Sequence, residues 1–253
     1  MLQAERLQMI RELAEKEDIL SWERLIQVLG VSKATVRRDV DHLAAEGCIE
    51  KTRGGILSLQ ADATEPSLQL RNVQNMSEKR RIAQAALSYI QPDDFVFFDS
   101  GSTVKEVAAL LPPSLRFSAM TYDLMIAMEL AKKPVIDVFI AGGTLRKHFE
   151  TAHGYMTERD LLDFHAQTTF MGADSVRLGG GIYGYNMNDV RPKQVMLENS
   201  NQTILLCDHT KFEKTAYVHI CELKNIDRII TGAEAREIVG KTFQELGIPI
   251  DFV

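Results

Sequence analysis

The stretch VSKATVRRDVDHLAAEGCIEKTRGG, residues 31–55, decides how the N-terminal part of this chain is read. Ser32 is placed to cap a helix, because its hydroxyl can accept an N–H that the first helical turn leaves unpaired. Gly47 ends the same helix. Between them Val36, Val40, Leu43 and Ala44 fall on one face at helical spacing, whereas Lys33, Thr35, Arg37, Arg38 and Asp41 point elsewhere. The following CIEKTRGGILSL reads as two short strands around the turn Arg53–Gly54–Gly55.

Upstream, Leu2, Leu7, Ile10, Leu13 and Ala14 recur at helical spacing. Ser21 caps a second helix carrying Leu25, Ile26 and Leu29, and Gly30 breaks it. Three helices and a basic hairpin make a winged helix-turn-helix over residues 1–59. Its third helix packs by its apolar face and lays its exposed N-terminal half in the DNA major groove. The candidate DNA-binding residues are Ser32, Lys33, Thr35, Arg37 and Arg38 on that helix, with Lys51 and Arg53 on the wing. Arginine suits the role because its planar fork grips a guanine edge or a phosphate with two bonds. The wing cations position the duplex rather than read it. The competing reading is a small helical interaction domain with a solvated charged face. Bulk charge does not separate the two, since residues 1–59 hold nine basic and ten acidic side chains.

Residues 60–76, QADATEPSLQLRNVQNM, are polar and aperiodic and are read as a linker. Ser77 is expected to cap a helix running to about Tyr89. Apolar runs at Phe95–Phe98, Phe117–Met120, Val135–Ile140, Thr168–Met171, Thr203–Cys207, Arg228–Ile230 and Ile248–Val253 are then separated by helical patterns at Val104–Leu111, Asp123–Lys132, Met156–Phe164, Asp189–Ser200 and Glu234–Leu246. Continuous apolar strands alternating with helices predict a second domain, residues 77–253, with a mainly parallel α/β sheet covered on both faces. Met125, Met128 and Met196 are assigned to its core. Ligands of such sheets lie beyond the carboxyl ends of the strands.

Polar groups gather at those ends. FFDSGST, residues 97–103, turns from a buried strand into a helix: Gly101 admits a ligand to the backbone, Ser100, Ser102 and Thr103 offer hydroxyls, and the helix N-terminus favours an anion. Asp99 repels a phosphate but can accept bonds from sugar hydroxyls. Gly142 and Gly143 follow a strand, with Arg146 and Lys147 nearby. Asp189, Arg191 and Lys193 open a helix that tolerates Pro192 in its first turn. Asp208 ends a strand, and Lys211 follows it. The alternative for each is a capped helix or a solvated loop.

The N-terminal stretch resembles the signature of the DeoR family of bacterial transcriptional repressors: Val31, Ser32, Thr35, Val36, Arg37, Arg38, Asp39, Val40, Leu43, Gly47, Gly54 and Gly55 match its pattern. The resemblance continues in order through Arg71, Ser77–Glu78–Lys79, Asp99–Thr103, Gly142–Gly143, Gly172–Asp174, Asp189/Arg191/Lys193 and Asp208–Phe212. It implies a C-terminal sensor domain resembling sugar-phosphate isomerases and deaminases, which binds a phosphorylated sugar or related metabolite as effector. Carried over position by position, it adds Arg71, Lys79, Tyr122 and Asp174 to the effector-binding set of Asp99, Ser100, Gly101, Ser102, Thr103, Gly142, Gly143, Asp189, Lys193, Asp208 and Lys211. Tyr122 stands where the family usually has Asn, and Asp189 where Glu is commoner.

The 253 residues carry a formal net charge of −6, which argues against a protein that coats nucleic acid over its whole surface but leaves room for a locally basic reading head. Cys48, Cys207 and Cys221 form no CxxC pair and point to reduced thiols in a cytoplasmic protein. No apolar run approaches the ~18 residues of a membrane span. His148 and His153 in HFETAH lie five apart, off the spacing a helical zinc pair needs. The glycine-rich RLGGGIYGYN, residues 177–186, lacks a phosphate-loop lysine and reads as a turn. The expectation is therefore a repressor of a carbohydrate catabolic operon, with no cofactor, no metal and no catalytic residue. It binds double-stranded operator DNA as a homo-oligomer, dimer or tetramer, and a phosphorylated sugar releases it. The alternative is a sugar-phosphate isomerase or deaminase carrying a DNA-binding head, with Asp99, Asp189 or Asp208 as its base.

Overall fold

The computed structural model describes residues 2–17, 19–46, 49–52, 54–58, 65–66, 68–147, 149–239 and 247–253. The chain divides into two compact units, Met1–Gln74 and Asn75–Val253.

The first unit contains α1 (Gln3–Lys16), β1 (Ile19–Ser21), α2 (Trp22–Leu29), α3 (Lys33–Ala45), β2 (Ile49–Lys51), β3 (Gly55–Ser58) and α4 (Leu68–Val73). Both expected caps form: Ser21 Oγ accepts the Arg24 N–H and Ser32 Oγ the Thr35 N–H. Gly30 closes α2 at φ +63°, a conformation that glycine adopts without penalty. Leu7, Ile10, Leu25, Leu29, Val36, Val40, Leu43 and Ile56 are buried together, so α1, α2 and α3 share one core with the hairpin. The hairpin has a third strand that the sequence did not announce: β1 pairs antiparallel with β3, giving the order β1-β3-β2. That pairing explains Gly55, since a Cβ there would collide with the backbone of Leu20. The stretch read as a linker holds α4, and Arg71 on it pairs with Glu65 at 2.6 Å.

The second unit runs α5 (Met76–Ala86), β4 (Phe95–Phe98), α6 (Ser102–Leu110), β5 (Phe117–Thr121), α7 (Leu124–Leu130), β6 (Ile136–Ile140), β7 (Thr144–Arg146), β8 (Thr151–His153), α8 (Tyr155–Leu162), β9 (Ala166–Gly172), β10 (Ser175–Arg177), β11 (Gly181–Gly184), α9 (Val190–Glu198), β12 (Ser200–Leu206), β13 (Val218–Cys221), β14 (Arg228–Thr231) and β15 (Ile250–Phe252). The seven apolar runs form one parallel sheet in the order β15-β14-β12-β9-β4-β5-β6. Alternate residues feed opposite layers. Val96, Phe98, Ile204 and Leu206 face the α5–α6–α7 layer. Phe97 joins Tyr122, Leu161, Val195 and Met196, and Leu205 joins Met171 and Ile229. Burial on both faces is the physical reason the central strands, such as β4 and β12, read as unbroken apolar runs. At roughly 1.5–3 kcal/mol for each large apolar side chain taken out of water, these layers hold the strand ends in fixed register.

Three expectations are corrected. The N-cap position of α5 is Asn75 rather than Ser77: Asn75 takes the left-handed conformation, φ 53°, and its side chain donates to Asp208 instead of capping. RLGGGIYGYN is not only a turn but most of an antiparallel hairpin, β10–β11, extended by β13. Met128 is 62% exposed rather than core, while Met196 is buried. Residues 236–239 are helical, and the rest of the helix expected to Leu246 lies outside the described residues, as do Gly47, Cys48, Arg53 and His148. Cys207 and Cys221 are free and buried. Among the described residues no helix is long and apolar enough to cross a membrane.

Candidate functional site

In the first unit α3 presents Ser32, Lys33, Arg37 and Arg38 to solvent, with Thr35 half-buried and Val36, Val40 and Leu43 beneath. The Arg37 guanidinium lies 5.7 Å from the Trp22 ring centroid, which gives it a platform without removing it from water. Asp39, next to the arginine pair, faces the other way. It is buried and takes two bonds from Arg6, at 2.6 and 3.1 Å, so it fastens α1 to α3. Arg11 makes a second α1–α3 tie to Glu46 at 2.6 Å. Asp39 and Glu46 are thus engaged by α1. On the hairpin Lys51 pairs with the exposed Asp41 at 2.7 Å, an interaction that water screens heavily.

In the second unit the carboxyl edge of the parallel sheet collects two polar centres. The first surrounds Asp99, which is wholly buried at the end of β4. One carboxylate oxygen accepts the Tyr122 hydroxyl at 2.5 Å; the other accepts the Gly172 N–H at 2.8 Å and the Lys193 ammonium. Lys193 also donates to the Gly172 carbonyl at 3.1 Å. Both oxygens accept protein donors, so Asp99 fixes Tyr122, Lys193 and β9 in place. Burial first, then the charges of Asp99 and Asp189, raise the Tyr122 pKa well above that of a free phenol, so the group stays a hydroxyl and donates. Its oxygen also lies 3.2 Å from Ser100 Oγ.

Beside this centre the chain turns into α6 through Gly101 at φ +136°, a region that side chains avoid, and open space lies where a Cβ would stand. Ser102 is half-buried and Thr103 buried. The Gly101 N–H goes to Asp123, which also caps α7 by accepting from Met125 and Ile126 at 2.9 and 3.1 Å. Burial pushes the Asp123 carboxyl up to about 6, against the pull of those three N–H groups, and the charge of Asp99 adds to the rise. Gly142 and Gly143 have a packing explanation: Gly142 exchanges bonds with Asp160 and Thr157, and a Cβ on Gly143 would strike Thr157 and His153. Asp174 is half-buried against β11, accepting the Tyr185 N–H at 3.4 Å. Asp189 stands at the start of α9 but does not cap it; its side chain pairs with Arg146 at 3.0 Å.

The second centre lies at the end of β12. Asp208 accepts from the Asn75 side chain at 3.1 Å and from the Thr210 N–H and hydroxyl. Burial opposes its ionisation, but Lys211, the Thr210 hydroxyl, Lys79 and Asn75 outweigh it and hold the pKa below the ordinary carboxylate value. Glu78, buried one residue before Lys79, accepts both the N–H and the Nδ1 of His209 at 2.8 Å. Glu78, Asp208 and His209 bring ligand-type atoms within 4.8 Å of one another. Lys79 and Lys211 already supply positive charge beside Asp208, which works against a divalent ion there. The structure therefore gathers Asp99, Ser100, Gly101, Tyr122, Lys193 and Asp189 around one centre and Lys79, Asp208 and Lys211 around the other, while Arg71 belongs to the first unit. Glu78, His209, Asp123 and Arg146 belong to these centres too. Their only sequence signal is adjacency to the recognised motifs.

Comparison with known proteins places these observations. A family model described as the DeoR-like helix-turn-helix domain matches residues 6–62, and one described as the DeoR C terminal sensor domain matches residues 74–233. The HTH-type transcriptional regulator GlpR of Haloferax volcanii is 32% identical over 94% of this chain and 94% of its own. The glycerol-3-phosphate regulon repressor of Escherichia coli K12 is 28% identical over 92% of each chain. Among solved structures, a ribose 5-phosphate isomerase A from Methanocaldococcus jannaschii aligns over 55% of each chain with a TM-score of 0.42 and 15% identity.

Proposed function

This chain belongs to the DeoR family of transcriptional regulators, and from that premise we propose that it represses a carbohydrate catabolic operon and leaves its operator when a phosphorylated sugar binds the second unit. The observation that carries the DNA half is α3, which shows Lys33, Arg37 and Arg38 to solvent from a helix whose opposite face is buried. Such a helix meets the two demands of groove reading, a rigid seat and exposed cationic forks. The effector half is supported by the open Gly101 turn at the start of α6, with Ser100, Ser102 and Thr103 around it and Lys193, Lys79 and Lys211 along the same sheet edge. A helix N-terminus and nearby cations favour a phosphate, and buried hydroxyls and amides favour sugar oxygens.

Operator binding by a homo-oligomer follows from the geometry of such heads, because one short helix reads few base pairs and two linked heads on a palindrome multiply affinity. Release requires that the effector prefer the DNA-incompetent state; a tenfold drop in operator affinity corresponds to about 1.4 kcal/mol of differential binding. Nothing about the carboxylates favours the enzyme reading: Asp99, Asp189 and Asp208 are each held by protein donors. Deleting the gene and measuring transcripts tests the proposal. Increased transcription of a sugar-utilisation operon, reversed by the wild-type chain but not by an Arg37→Ala/Arg38→Ala chain, is expected. Unchanged transcripts would overturn it.

A further inference from the structure

Arg146 sits beside the first polar centre on a hairpin built to hold it still. Its strand, β7, follows Gly143, φ +143°, where a Cβ would strike Thr157 and His153. The following turn carries Glu150 at φ +60°, a conformation costly to a residue with a side chain and one that collects at functional sites. The Glu150 carbonyl accepts the Leu124 N–H at 3.0 Å, and the Ala152 N–H reaches the Tyr122 carbonyl at 2.8 Å, so the hairpin is stitched to the β5–α7 turn. The guanidinium lies 3.8 Å from the Phe149 ring centroid and donates to Asp189 at 3.0 Å. Asp189 lies close enough to Tyr122 for its charge to help raise that phenol, whose hydroxyl adjoins Ser100. Opposite Arg146 in the hairpin register stands Thr151, 4% exposed, whose hydroxyl has no hydrogen-bond partner. Thr151 also bridges to Asp123, the carboxylate that takes the Gly101 N–H.

We propose that Arg146 is the ligand for the effector's phosphate and that Asp189 is its resident counter-ion, displaced from the guanidinium when the phosphate arrives. The proposal rests on the effector reading given above and assigns Asp189 a role other than direct sugar contact. A carboxylate adjoining a dianion is repulsive, so Asp189 on the Arg146 guanidinium is intelligible as a stand-in for the anion rather than as a ligand for it. Arg146 and Asp189 are 17% and 14% exposed, and a half-buried pair of this kind contributes little net stability compared with the cost of leaving either partner alone. A phosphate oxygen pair matches the arginine fork as well as a carboxylate does, carries more charge, and finds the unpartnered Thr151 hydroxyl opposite Arg146 in the hairpin. Phe149 keeps the guanidinium plane fixed while its partner changes. Lys193 is less free to exchange, being held by Asp99 and Gly172 with 8% of its side chain exposed.

Calorimetric titration of the full chain with glycerol 3-phosphate, ribose 5-phosphate, glucosamine 6-phosphate and inorganic phosphate tests the exchange, because the two single variants move in opposite directions. Arg146→Ala weakens binding of the tightest probe by about 10- to 100-fold, the usual consequence of losing a charge-assisted hydrogen-bonding partner. Asp189→Asn, which removes the competing anion, tightens it by roughly 3- to 10-fold. Arg146→Lys keeps the charge but not the fork, gives an intermediate loss, and serves if the alanine variant does not fold. A purely structural brace predicts that Asp189→Asn weakens binding as Arg146→Ala does, and that result overturns the proposal, as does unchanged affinity in both. If wild type binds none of the four probes, the effector reading itself falls and this proposal with it.

Discussion

Replacing Lys193 by Met keeps the length and apolar stem of the side chain while stranding the Asp99 carboxylate. In the wild type that carboxylate has no solvent exposure and is balanced by the Lys193 ammonium, the Tyr122 hydroxyl and the Gly172 N–H. The variant leaves two neutral donors facing a full buried charge and also removes the bond to the Gly172 carbonyl. Breaking a buried pair from one side costs about 3–5 kcal/mol. For a unit of this size, where 1 kcal/mol moves Tm by about 2–4 °C, the second unit should melt about 6–20 °C lower. Adding Asp99→Asn should restore much of the loss. An amide turned so that its oxygen accepts the Gly172 N–H and its nitrogen donates to Tyr122, whose hydrogen then reaches Ser100, serves both groups without a buried charge. Thermal denaturation followed by circular dichroism compares the wild type with both variants. A loss below 2 °C would refute the view that this pair is the buried electrostatic centre of the sensor unit.

Arg38→Ala should weaken operator binding at least tenfold and lower the salt slope by about one unit if its partner is a phosphate, while leaving the melting of the second unit unchanged; gel-shift titrations at several salt concentrations check both. Lys211→Ala should retain operator affinity and lose the response to sugar phosphate, read as DNA release in the same assay. Asp123 has a folded pKa of about 6, above its unfolded value, so its contribution to stability is full below about pH 4 and lost as pH rises through 6. Asp123→Asn keeps a competent helix cap and should flatten that segment of the stability–pH profile, with a net gain at pH 7 visible by denaturant unfolding.

The division between what could and could not be read from the chain follows burial. The central strands of the parallel sheet were legible because both faces are covered, which forces unbroken apolar runs such as FVFF and TILL. Ser21 and Ser32 were legible as caps because the signal is local: one hydroxyl and the N–H three residues on. The short strands β1, β7, β8, β10 and β11 were not, since three or four residues with polar or glycine-rich sequence carry no usable period and exist only through their cross-strand partners. Asn75 displaced Ser77 for a tertiary reason, its bond to Asp208 far along the chain. At the sheet edge the motifs FFDSGST and CDHTKF placed the two centres, yet which member faces a ligand is a matter of packing. Asp99 and Tyr122 carry the same residue types whether they touch a sugar or, as here, each other. Arg146 lay next to a recognised glycine pair, and only the hairpin register brings it to Asp189 and opposite Thr151.

The most direct test of the central claim is fluorescence anisotropy on a labelled duplex taken from upstream of the protein's own gene, with the full chain titrated at about 50 and 200 mM salt and sugar phosphates then added singly. The account predicts tight, sequence-dependent binding that weakens steeply with salt and is released by one phosphosugar and not by its unphosphorylated parent. Binding indifferent to sequence, or specific binding that no phosphorylated sugar disturbs, would contradict it.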